Sequence, residues 1–143
     1  MKIRLLLASL TIAFAPLFSF AADSSPSELD DLMEQMNTAY RKLTRQISNS
    51  AKNADSLAAV ATMHDRAVES AKLEPKRKAE VPAAEQAKFV ADYQAGMKTL
   101  IGQLDKLKAS LEAGKNDEAA EILKTLKQSQ EDGHKQFKKA KKK

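Results

Sequence analysis

Apolar residues return every three or four positions along most of this chain, and no stretch alternates with the period of two that a half-buried strand requires. The most regular run is Phe89, Tyr93, Met97, Leu100, Leu104, Leu107 and Leu111, the seam of a helix packed in a bundle. An earlier face comprises Leu29, Leu32, Met33, Met36, Tyr40, Leu43 and Ile47. It opens with Ser25-Pro26-Ser27-Glu28, which reads as a capping box with proline at the first helical position. Between these two, Leu57, Val60, Ala61, Met63, Ala67, Val68 and Ala71 mark another helix, with Asp55 as its expected cap and Glu74-Pro75 as its stop. Gly114 is placed to end the Phe89–Leu111 helix. Asn116, Asp117 and Glu118 are placed to start a last one, expected to run to about Ala140. Two helices joined this tightly form a hairpin, and short connections throughout predict an all-α, up-down-up-down antiparallel four-helix bundle.

The start of the chain adds a compartment. Lys2 and Arg4 precede an apolar run from Leu5 to Phe20, and Ser19 and Ala21 are the small residues a signal peptidase reads. Residues 1–21 therefore read as a secretory signal peptide, and residues 22–143 as one exported domain. Pro16 interrupts a run too short for a membrane anchor. Without Lys2 and Arg4 the formal charge falls from +5 to +3, too weak a basic footprint for a nucleic-acid binder. There is no cysteine, so no disulfide holds the fold and no Cys-x-x-Cys-His can attach haem covalently.

Chemistry enters at His134. Leu126, Gln130, His134 and Phe137 share one helical stripe, which predicts an imidazole on a buried face of a lysine-rich helix. In an up-down bundle the first and last helices are antiparallel neighbours. Met33 lies seven residues from the start of one, roughly 11 Å along its axis, and His134 lies six from the expected end of the other, roughly 9 Å. A thioether and a neutral imidazole meeting at one level across a bundle interior form an axial pair for haem iron. The ordinary alternatives are a gap-filling core methionine and a helix-end histidine favoured by the dipole.

Three stretches carry a resemblance. Leu29-Asp30-Asp31-Leu32-Met33-Glu34-Gln35-Met36-Asn37 resembles the ligand-bearing first helix of the cytochrome b562 family. Tyr93-Gln94-Ala95-Gly96-Met97-Lys98-Thr99-Leu100-Ile101-Gly102-Gln103-Leu104-Asp105 is similar to its third helix. Glu112-Ala113-Gly114-Lys115, followed by His134, is similar to its last. The resemblance covers essentially the whole chain after residue 21 and is weakest between the second and third helices. It implies a b-type haem (iron-protoporphyrin IX) bound without covalent links, with Met33 and His134 as axial ligands. It also implies haem-pocket contacts at Met36, Met63, Tyr93 and Met97, positions that ordinary core packing would equally fill. Two positions depart from the family: Gln130 stands where an arginine can reach a haem propionate, and Gly133 where an aromatic is usual.

The rest of the chain offers no catalytic set: no nucleophile with its base, no phosphate-binding glycine loop and no di-metal carboxylate cluster. A metal closed at both axial positions suits electron transfer better than substrate chemistry, so a periplasmic electron carrier and not an enzyme is expected. His64 reads as a surface or boundary residue. Lys76-Arg77-Lys78 and the lysines from Lys135 onward fall at the same end of the bundle as Met33 and His134, where they could steer an acidic redox partner. Glu28, Asp30 and Asp31 share that end and oppose the effect. A monomer without membrane insertion is expected. A haem-free binding or chaperone-like bundle of the envelope, or a surface-binding module using the lysine tail, are the alternatives from other classes.

Overall fold

The computed structural model describes residues 26–138; the signal-peptide assignment, Ser25 of the capping box and the lysines after Lys138 lie outside them. Four helices account for most of that span: α1 (Pro26–Gln46), α2 (Asn53–Ser70), α3 (Gln86–Glu112) and α4 (Asn116–Phe137). Pro26 is the first residue of α1, where its missing N–H is no loss. Gly114, at φ +70°, turns the chain between α3 and α4, and Lys115 N–H donates to Ser110 O at 2.8 Å across the turn. Short 3-10 turns fill the connections, at Ser50–Lys52, Lys76–Glu80 and Ala83–Glu85.

Long-range bonds fix the topology. At one end the Asn116 amide donates to Ile47 O at the end of α1, and the Asn53 amide donates to Leu111 O near the end of α3. At the opposite end Tyr93 Oη donates to Ser70 O, joining the start of α3 to the finish of α2. The helices therefore run up, down, up, down, as expected. α1 packs on α2, α2 on α3 and α3 on α4, whereas α1 and α4 approach each other far less closely. The ring of four is tight on three sides and loose on the fourth.

The core follows the sequence stripes. Leu43, Val60, Leu104, Leu107, Leu111 and Leu126 are essentially inaccessible. Each contributes about 1.5–3 kcal/mol relative to exposure. Two boundaries differ from the sequence reading. α2 begins at Asn53, so Asp55 lies inside the first turn instead of capping it. α4 ends at Phe137, short of Ala140, because Lys138 adopts extended backbone.

Candidate functional site

The rim formed by the start of α1, the finish of α2, the start of α3 and the finish of α4 carries most of the chemistry. Met33 is half-buried and packs against the core from α1. Met36, Met63, Tyr93 and Met97 are all buried in that core, from three different helices. Counted along their helices they sit roughly 10–17 Å from the rim, forming an apolar floor. Tyr93 is the polar exception. Its phenol bonds Ser70 O at 2.9 Å, and burial pushes its pKa up to about 12, so it stays protonated. Ser70 is itself fully buried, and its hydroxyl has no partner among the described residues.

On α4 the stripe emerges from the core as it nears the rim. Leu126 is buried, Gln130 half-buried, His134 exposed and Phe137 half-buried. The expectation of a buried face at His134 is thus corrected. A helical stripe is covered only where a second helix faces it, and α1 does not close upon α4. The imidazole still has one side against protein: partial burial first, then the charge of Lys138, lowers its pKa, which favours the neutral ring. Among the described residues neither ring nitrogen has a hydrogen-bond partner. Phe137, one turn on, seats its ring edgewise against Phe89 and Tyr93, with centroids 5.3 and 5.5 Å apart, and so anchors this end of α4 to α3.

Counting residues from helix ends no longer sets the level of His134, since α4 finishes early. Two long-range contacts link this end of α4 and the start of α1 to the α2–α3 connection. Lys76 pairs with Asp30, three residues before Met33, while the adjacent Arg77 donates from Nη1 to Lys135 O at 2.8 Å and Gln136 O at 2.7 Å, just after His134. Two consecutive residues thus bind α1 one turn before Met33 and α4 at the two residues after His134. The sequence reading of Lys76-Arg77-Lys78 as a free basic patch missed this role, and bonds spanning 46 to 59 residues leave no local signal. Lys78 pairs with Glu74 and Lys135 with Asp132, which offsets part of the rim's positive field, while Arg77, bonded to neutral carbonyls, and Lys138 keep their charge.

Elsewhere, His64 sits at the surface boundary of α2, its Nε2 3.4 Å from Asp105 Oδ1 and its Nδ1 3.8 Å from Asp65 Oδ1. An open groove of about 640 Å³ runs between α1 and α2 past Glu34, Thr38, Lys42, Ala58 and Thr62; neither Met33 nor His134 lines it. Among the described residues no group of three or more His, Asp or Glu could hold a metal ion directly. One thioether and one imidazole are donor types that could hold a haem iron.

Compared with protein-family models, residues 28–138 match that of cytochrome b562. The chain belongs to the cytochrome b562 family. No individual curated protein matches it. As a cytochrome b562 it binds a b-type haem non-covalently and serves as a haem-binding electron-transfer protein, a carrier and not typically an enzyme. The residues present fit that group. Haem would supply a one-electron iron couple; the side chains that could hold it are the half-buried Met33 thioether and the His134 imidazole, whose lowered pKa favours the neutral ring, beside the apolar floor of Met36, Met63 and Met97. Among the described residues of this cytochrome, no helix is long and apolar enough to cross a membrane.

Proposed function

We propose that this cytochrome is a periplasmic electron carrier, exported by residues 1–21, whose single haem iron is ligated axially by Met33 and His134. The observation that carries the assignment is the shared tether: Asp30 and the Lys135 and Gln136 carbonyls are bound by neighbouring residues. Met33 lies one turn after Asp30 and His134 immediately before Lys135, so the tether supports a reading in which both ligands belong to this rim. What supports ligation at the exposed His134 is that its lowered pKa favours the neutral ring and that neither ring nitrogen has a hydrogen-bond partner among the described residues. Methionine–histidine ligation raises the reduction potential, and leaves no axial position for substrate.

Holoprotein purified from haem-sufficient cells should give the sharp reduced spectrum of low-spin b-type haem. Met33→Ala and His134→Ala should each abolish it. If both variants keep the wild-type spectrum, the ligand assignment is wrong. Export is tested separately, by N-terminal sequencing of the periplasmic protein, with Ala22 expected first.

The partner is proposed to be an acidic redox protein meeting this rim. Since Lys76, Lys78 and Lys135 pair with carboxylates within the chain, the attraction falls to Arg77, Lys138 and the lysines after it. Deleting residues 139–143 should lower the association rate and flatten its dependence on salt.

A further inference from the structure

We infer that Lys76 and Arg77 are positioning residues, a two-armed clamp that sets α1 against α4 so that Met33 and His134 stand opposite each other. The inference rests on the axial ligation proposed above and names the residues that would position the two ligands.

The argument starts from what α1 and α4 lack. They are neighbours in the ring, yet they do not pack upon one another as the other neighbours do. Their backbones come together far less closely, so interdigitating side chains, the usual means in a bundle, fix their relative height less firmly than between the other neighbours. The link between α2 and α3 takes over at the rim. Pro75 is buried there, with extended backbone (ψ 139°), and starts the 3-10 turn Lys76–Glu80. From that seat two adjacent side chains reach in different directions: Lys76 to the Asp30 carboxylate on α1, Arg77 to two carbonyls on α4.

Each arm grips close to a ligand. Asp30 and Met33 are one turn apart on α1, and the Lys135 carbonyl belongs to the residue after His134. The arms are unequal. The Lys76–Asp30 pair is exposed, and pairs of that kind hold weakly. Arg77 is half-buried, and its charge meets two carbonyls of the last turn, which have no intrahelical donor. It also sits where the α4 dipole is negative. The planar fork of arginine suits the task, whereas lysine would present a point charge on a flexible stem.

The test uses Arg77→Ala, Arg77→Lys and Asp30→Asn, each read with and without haem. Without haem, Arg77→Ala should speed amide hydrogen exchange in the last turn of α4, at Phe137 and Lys138, while the α2 and α3 cores exchange as in wild type. With haem, it should release the group roughly tenfold faster, about the loss of one charge-assisted contact, and weaken the far-red band of sulfur-ligated ferric iron. Arg77→Lys should recover only part of both effects. Asp30→Asn should change haem release by no more than about threefold, as befits an exposed pair. If wild type loses its low-spin spectrum on His134→Ala but Arg77→Ala matches wild type in release and exchange, the clamp is overturned while the ligation stands. If His134→Ala leaves the spectrum intact, the ligation falls and the clamp with it.

Discussion

Asn53 and Asn116 bond each other reciprocally across the end of the bundle remote from Met33: each side-chain amide donates to the other's oxygen, at 3.2 and 2.8 Å. Each also serves a helix end, Asn53 at Leu111 O and Asn116 at Ile47 O. One amide pair thereby ties together the ends of α1 and α3 and the starts of α2 and α4. Alanine at either position should cost about 1–3 kcal/mol, since partly buried carbonyls and an amide lose their partners. The double variant should cost clearly less than the sum of the singles, because they share one network. Urea unfolding of the four proteins measures this.

The two ligand candidates should differ sharply in what they contribute to the fold. His134 is exposed and packs in no core cluster, so His134→Ala should change haem-free stability by no more than about 0.5 kcal/mol. Met33 packs against the core from a half-buried position, and Met33→Ala should cost about 1–2 kcal/mol, less than the range for full burial. Thermal unfolding without haem separates the two. A spectrum lost on His134→Ala then reports ligation and not unfolding.

Two glycines should respond in opposite directions. Gly114 has φ +70°, so alanine there should cost about 1–2 kcal/mol from backbone strain alone, an added Cβ meeting no atom within 4 Å. Gly133 lies inside α4, and its Cβ would likewise enter open space. Gly133→Ala should stabilise the protein by about 0.8–1 kcal/mol through helix propensity. Denaturation midpoints of both variants check the signs.

Tyr93 predicts an alkaline signature. Its pKa is raised by burial from 10.0 to about 12, so above pH 10 the unfolded chain loses a proton that the folded chain retains. The tyrosine's contribution is complete below pH 10 and is lost as pH rises towards 12. Tyr93→Phe should flatten that part of the stability–pH curve. At neutral pH it should cost about 0.5–1.5 kcal/mol for the bond to Ser70 O, which keeps Leu73 N–H as a second donor.

Much of the architecture was legible because its signals are local. Pro26 marks a helix start and Gly114 a chain reversal through their own backbone preferences, and the Phe89–Leu111 seam needs no knowledge of its partners. Misreadings arose where a residue is committed elsewhere. Asp55 reads as the cap of α2, but the helix starts at Asn53, whose amide is engaged with Leu111 and Asn116. The site was legible as residue types and less so as surroundings. Met36, Met63, Tyr93 and Met97 are buried as their stripes imply. The same logic misplaced His134, because a stripe presumes a covering helix and α1 leaves α4 uncovered there. Arg77 could not be read at all, since its carbonyl partners lie nearly sixty residues away.

An even number of antiparallel segments returns a polypeptide to the level at which it set out. Pro26 and Phe137 accordingly lie on the rim that carries Met33 and His134, and the turn at Gly114 lies a full bundle length away. A fluorophore or fusion partner joined directly at Pro26 or Phe137 would therefore overhang the rim proposed for redox docking and should slow any association there. The same cargo spliced in beside Gly114 would leave that face clear.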